Sequence, residues 1–493
     1  MLAWTIILSF AGALGVLLVP KALVRWVALV VACAGLACGF FGAIEFGGGP
    51  VSMSIVDLPW IAPLGVRFAL EADGIGVTLV LLTGIAAVVG VLFSWNIEKR
   101  LSEYFAFFLT LIGGVYGVFL SADLFLLFVF YEIAIVPKYF LIAIWGGTRK
   151  DYGAMKLVLY SFAGSALVLI GILAAFVAAG GSSFALIDLA QAEYSVEFQR
   201  WAFPLVFVGF AVLAGLWPFH TWAPTGHVAA PTPVSMLLAG VVMKLGAYGA
   251  LKVALPLFPE GAIFWRDILA ALAVTGIVYG GLVAMTQKDF KFVIGYSSVS
   301  HMGFVLLGVA TLNETGLSGA VLQMFSHGIL AGLLFGIVGR LVYDRTHTRN
   351  LDELKSLNLR VRMPFAAGAF TVAGMASMGM PGFSGFVAEL HVLIGAWRSV
   401  PVHGIIAGIG VVIGVAYTMK AIQTVFFTDA GDTDPGVETS PTYAPFTVPE
   451  RAGVWMLSLT SLLIGLYPRI LLDWITPTFQ TPLYEGLRKG AGW

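Results

Sequence analysis

The sequence predicts an all-α polytopic membrane protein of about fourteen transmembrane helices. Three observations carry this expectation. Of 493 residues, 59% are hydrophobic and 11% are charged, whereas soluble domains carry about 25% charged residues. Mean hydropathy is +0.94. The apolar stretches run for about 20 residues, not in the roughly 10-residue alternation of barrel strands, which favours helices over a barrel. Net charge is zero, so charge balance points to no nucleic-acid or acidic partner.

Taken in order, the first spans fall near 2–20, 23–43, 73–95, 104–121 and 123–145. The first reads as a membrane span rather than a cleavable signal. The second holds Cys33 and Cys38. Two cysteines so close on one helix are packing residues rather than a disulfide, and they are too few for a metal site. Further spans fall near 153–179, 201–223, 232–257, 267–286, 290–311, 316–343, 364–396, 403–427 and 452–475. The seventh is interrupted between Trp217 and Pro224, where Pro218 and Pro224 flank His220. The twelfth is interrupted between Gly379 and Gly385, around Pro381. Proline removes a helical hydrogen bond and clashes with the preceding turn.

Two broken helices about 165 residues apart predict two inverted five-helix repeats, the usual transporter pattern with an ion site near the midplane. The first repeat would be 104–257 and the second 267–427. An N-terminal three-helix region, 1–100, precedes them; a cytoplasmic loop, 428–450, and a C-terminal helix and tail, 451–493, follow. The alternative is that Gly and Pro are simply common in membrane helices. An intramembrane ionisable residue close behind each break favours the repeats.

Basic residues orient the spans. One set of alternate loops carries Lys21, Arg25, Lys99, Arg100, Arg149, Lys150, Lys288, Lys291, Arg345, Arg349, Lys355, Arg360 and Arg362. The other has only Arg67, Arg200, Arg266, Arg398, Arg488 and Lys489. The richer side is expected to be cytoplasmic, with both termini periplasmic.

Glu132 lies mid-span in an apolar run from Asp123 to Trp145. A carboxylate at bilayer depth is costly unless protonated, paired or hydrated, so it marks a functional site. Lys138 follows six residues on, about 240° around and about 9 Å along an ideal helix. It either snorkels to an interface or joins the Glu132 system, with Pro137 bending the helix between them. Lys244 is set among small residues that let neighbouring helices or water come close. Burial shifts lysine and carboxyl groups toward exchange near neutrality. His301 and His327 have the side chain best suited to proton relay, and hydroxyl residues flank both. His220 and His227 lie in the broken seventh segment, where they could gate or hydrate an entry. Glu389 follows the second break, where unwound backbone admits water. A purely structural buried pair, a hydrogen-bonded core histidine and a capping glutamate are the competing readings of these residues. No phosphate loop, dinucleotide motif or redox-ligand set is present, so an ion gradient or a partner must supply energy. Moving a proton against about 150–200 mV takes roughly 3.5–4.6 kcal/mol.

These segments together resemble the antiporter-like membrane chains of respiratory complex I, the M (NuoM) type in particular. The resemblance rests on Glu132 with the Val-Pro-x-Tyr-Phe-Leu-Ile run after it, His220 with Trp222 and Pro224, and His227 with the following Ala-Pro. Leu-Leu-Ala-Gly before Lys244, Ser-Val-Ser-His301-Met-Gly, Gln-Met before His327, Arg345-Thr-His-Thr-Arg349 and Gly-Met-Pro381-Gly before Glu389 extend it over nearly the whole chain. Its length fits the M type, since no long lateral helix follows residue 475. The resemblance implies proton translocation driven by quinone reduction elsewhere in an NADH:quinone oxidoreductase. It also implies a relay of Glu132, Lys244, His301, His327 and Glu389, and it makes the repeat 104–257 the proton input half and 267–427 the proton output half. This chain would hold no cofactor; FMN, iron–sulfur clusters and quinone would lie in other subunits. L-type and N-type chains would be its membrane neighbours, in the cell inner (plasma) membrane. A multi-subunit Na⁺/H⁺ antiporter and a membrane-bound hydrogenase are the alternatives. One position departs from the family pattern: the seventh-helix lysine that normally pairs with the fifth-helix glutamate is Leu213 here, which leaves Lys138 as the candidate cation.

Overall fold

The computed structural model describes residues 1–47, 51–428 and 443–493. Among these, eleven helices are long and apolar enough to cross a membrane, or twelve if the bent pair Val448–Leu466 and Arg469–Thr478 counts as one span. The other expected spans fall on shorter helices. The first is Ala3–Leu18, and the interrupted twelfth is Pro364–Ser377 followed by Ser384–Ser399. Residues 429–442 of the expected loop 428–450 lie outside the described residues.

Aspartates fix several helix starts by accepting backbone N–H bonds that the first turn cannot satisfy itself. Asp73 caps the helix Gly74–Phe93 through Gly76 N (2.7 Å), and Asp123 caps Leu124–Trp145 through Leu126 N (2.9 Å). Asp289 caps Phe290–Ala310 through Lys291 N (2.8 Å).

Both interruptions appear as real breaks. Val196–Ala214 ends at Gly215 in the left-handed conformation, and helix resumes at Trp222–Ala229. In the second break Gly379 (φ +74°) and Gly382 (φ +100°) take backbone conformations that L side chains rarely adopt. Two expectations need correction. The last span is not a straight helix over 452–475. It bends by 68° at Tyr467–Pro468, because a residue before proline is pushed out of the α region. Residues 52–73, inside the expected N-terminal three-helix region 1–100, form an antiparallel hairpin of β1 (Ser52–Ile61) and β2 (Val66–Asp73).

The centre of the bundle holds the helices Thr232–Leu257 and Glu314–Thr346, whose apolar stretches are completely buried, beside the nearly buried Phe290–Ala310. Lys21–Gly47 and Pro401–Phe427 are one-third buried and form its flanks. Lys244, His301 and His327 ride on the three central helices.

Candidate functional site

The site is assembled where two glycines let central helices touch. A Cβ at Gly328 would lie 2.6 Å from the Gly240 carbonyl, and one at Gly240 would lie 3.1 Å from that of Gly328. Only helices lacking side chains there can approach so closely. The Lys244 helix is π-helical over Leu238–Val242, and such turns disturb the regular carbonyl pairing. Lys244 Nζ donates to the Ala239 carbonyl of that turn (2.5 Å) and meets His327 Nδ1 at 2.8 Å. Lys244 is fully buried and His327 is 4% exposed.

The His327 ring stacks on that of His301, with centroids 5.6 Å apart and an interplanar angle of 28°. His301 Nδ1 faces Glu389 Oε1 at 3.1 Å; its Nε2 lies 3.1 Å from Ser377 Oγ and 3.4 Å from the Tyr417 hydroxyl. Gln323 Nε2 donates to the same Glu389 oxygen at 3.4 Å. Four of the sequence candidates, Lys244, His327, His301 and Glu389, therefore form one polar file. Its one gap is between the imidazoles, which share no hydrogen bond; His327 Nε2 is buried without a partner. A cavity of about 10 Å³, traced by the centre of a water molecule, touches both rings, Ser298 and Ser326. That is room for about one water.

The other four candidates lie elsewhere. Glu132 is half-buried, on a stripe of its helix with the exposed Val136 and Phe140. Lys138 is fully buried, so its amine does not reach an interface. The direct Glu132–Lys138 pair does not form, for Glu132 Oε1 and Lys138 Nζ are both buried without hydrogen-bond partners. Six residues of separation place them on different faces. Leu213 is buried against the Lys244 helix, where a Cβ on Gly246 would lie 3.0 Å from the Leu213 carbonyl carbon. His220 packs on Tyr279, with ring centroids 5.2 Å apart. His227 is fully buried between Trp222 and Phe335, and neither of its ring nitrogens has a hydrogen-bond partner.

Sequence reasoning missed several groups. Lys291, read as a loop cation, is 3% exposed, and its Nζ donates to the Ala230 carbonyl (3.1 Å) and to Ser235 Oγ (3.4 Å). Ser235 in turn donates to the His227 carbonyl (2.7 Å). Lys291 borders a cavity of about 200 Å³ beside Gly146, Thr148 and Arg349. Lys156 donates to Thr225 of the broken seventh segment at 3.4 Å. Ser377 and Tyr417 gave no signal, because uncharged polar residues are frequent in these helices, and Gln323 entered only through the resemblance, with no role read for it. Lys252 and Asp73 form a buried ion pair. Asp73 caps the start of one helix and Lys252 lies near the end of another, where a charge is ordinarily taken as interfacial.

A family model described as NADH:quinone oxidoreductase/Mrp antiporter, transmembrane, matches residues 121–414. NAD(P)H-quinone oxidoreductase chain 4 1 of Synechococcus sp. (strain JA-3-3Ab) is 36% identical over 476 residues, covering 94% of this chain and 89% of that one. NAD(P)H-quinone oxidoreductase chain 4-3 of Nostoc sp. (strain PCC 7120 / SAG 25.82 / UTEX 2576) is 37% identical over 414 residues, covering 82% and 73%. Among solved structures, a chain of respiratory complex I from Thermus thermophilus with bound NADH superposes with a TM-score of 0.87 at 26% identity, covering 100% of this chain and 99% of that one. A chain of the Mrp complex from Dietzia sp. DQ12-45-1b gives 0.84 at 21% identity over 98% of each, a likeness of fold alone.

Proposed function

Because this chain belongs to the NADH:quinone oxidoreductase/Mrp antiporter family of membrane proteins, we propose that it is the M-type proton-translocating subunit of a complex I-like quinone oxidoreductase. The carrying observation is the buried file from Lys244 through His327 and His301 to Glu389. Each member can take and release a proton, and neighbours lie within hydrogen-bond reach or one water of each other. Two unit charges about 6 Å apart at an effective dielectric near 20 interact by roughly 3 kcal/mol. One rearrangement of charge therefore falls just short of the requirement for one proton, and several in sequence meet it.

In this reading Glu132, Lys138, His220 and His227 form the entry half. A carboxylate on a membrane-facing stripe needs cover, which supports a neighbouring chain against that flank. We assign that place to one of the L-type or N-type chains. The chain itself performs no redox step; FMN, iron–sulfur clusters and quinone belong to other subunits. The cation-rich loops are placed in the cytoplasm, in the inner (plasma) membrane, with both termini periplasmic. The Na⁺/H⁺ antiporter alternative is weaker, since relatives at 36–37% identity carry quinone oxidoreductase names.

The test is Lys244→Met in the assembled complex within sealed vesicles. Quinone reduction and proton pumping should both fall by roughly tenfold or more, as expected when a group acts within the coupled step. Full pumping in the variant would refute the relay. Pumping that requires sodium would favour the antiporter alternative.

A further inference from the structure

The helix that carries Lys244 holds a second buried lysine, Lys252, eight residues and about 12 Å further along its axis. Lys252 is 7% exposed and donates to Asp73 Oδ2; Asp73 is 4% exposed. Asp73 thus does two things: Oδ1 caps the helix Gly74–Phe93, and Oδ2 holds the lysine. Tyr248 lies midway between the two lysines, four residues from each. It is 1% exposed, and its hydroxyl donates to the Phe119 carbonyl at 3.2 Å. A second π-helical stretch, Ala250–Ala254, surrounds Lys252.

The pair forms part of the wall of a cavity of about 400 Å³, which is also lined by Glu71, Tyr248 and Thr481. At about 30 Å³ per water, this is room for on the order of ten molecules. The hairpin β1–β2 forms one side, so the cavity belongs to the face opposite the cation-rich loops. Glu71, Asp57 and Arg67 add further titratable groups to its wall, and burial raises the Glu71 carboxyl above the ordinary range. A buried ion pair is a poor way to gain stability, since apolar groups of similar volume often serve as well or better. A pair placed between a wide polar cavity and the line of Tyr248 and Lys244 calls for another account.

We propose that the Asp73–Lys252 pair, with its cavity, is a port through which Lys244 exchanges protons with the hairpin face, separately from the Glu389 branch. Only protons move. Lys252 gives one N–H proton to Asp73 or to cavity water, and is reprotonated from the Lys244 side through water beside Tyr248. The inference rests on Lys244 carrying protons, as proposed above.

The experiment measures protons pumped per electron in vesicles containing the whole complex, for Lys252→Met, Asp73→Asn and the double variant. Each single variant should lose protons per electron, and the double variant should do no better. A structural clamp predicts the reverse: neutralising both partners restores the parent stoichiometry, and that result would overturn the port. If these variants fail to assemble, Ser54→Cys, on an exposed strand position in the cavity lining, keeps the question decidable. Treatment with a charged, membrane-impermeant thiol reagent should then lower protons per electron, with reagent-treated parent as the control for Cys33 and Cys38. Unchanged stoichiometry in the labelled complex would sink the port. Lys244→Met separates the two readings. If it pumps normally, the relay itself fails; if it loses pumping while the pair variants do not, only the port fails.

Discussion

Lys138 is the residue on which the entry half turns. Its amine is fully buried with no hydrogen bond, on the residue directly after Pro137. Replacing a buried charge by an apolar side chain of similar shape is often neutral or stabilising. Lys138→Met should therefore keep the thermal midpoint of the complex at or above the parent value while pumping falls; unchanged pumping would remove Lys138 from the path. His301 is the opposite case, since Glu389, Ser377, Tyr417 and Gln323 all converge on it. His301→Ala strands these groups and should cost about 1–3 kcal/mol for each polar atom left unpaired, read as a drop in melting temperature. Glu71 gives a pH test. Burial raises its carboxyl, so the folded chain binds that proton more tightly than the unfolded chain. The group is therefore neutral in sign below the unfolded value and destabilising above the folded one. Glu71→Gln should stabilise the protein near neutrality, with the gain vanishing as the solution is acidified. The charged and imidazole members of the file could be read in the sequence because each is rare at bilayer depth. Their amide and hydroxyl partners could not, because nothing in the sequence separates them from ordinary polar residues.

At the scale of elements, the breaks were legible and the hairpin was not. Prolines with glycines inside a long apolar run interrupt a helix; the first break, at 215–221, begins ahead of the expected 217–224 and leaves Pro224 within the resumed helix, and the second, at 378–383, overlaps the expected 379–385. In β1, Pro59 breaks the strand signal, and the register shifts near Ser54 and Pro59 blur the alternation by which a strand is recognised. The 68° bend at Pro468 was passed over because apolar character continues through it. The close approach of the Lys244 and His327 helices, at Gly240 and Gly328, is a property of neither helix alone. Gly328→Ala would put its Cβ 2.6 Å from the Gly240 carbonyl and 2.7 Å from Leu82. Overpacking of this kind costs about 1–3 kcal/mol, and separating the two helices to relieve the backbone clash moves Lys244 away from His327. Lower thermal stability together with reduced pumping is expected; a variant with normal pumping would show that the 2.8 Å contact is not needed.

Across the whole molecule, two cavities lie on opposite faces of the central helices. One borders Lys291, Arg349 and Thr148; the other borders the hairpin and Lys252. Thr148→Cys should react with an impermeant thiol reagent only from the cytoplasmic side and Ser54→Cys only from the periplasmic side; the reverse pattern would invert the orientation read from the cations. The flank offers a different lesson. Glu132 shares its outer stripe with Val136 and Phe140, so a copy without a neighbour would hold a half-buried carboxylate beside lipid. Measured on insertion scales, a charge at helix centre costs about 2.5–3.5 kcal/mol. The same residue can thus report whether assembly is finished. An orphan copy carries an intramembrane blemish open to cellular surveillance, and docking erases it, so the abundance of the chain should follow that of whichever partner covers Glu132.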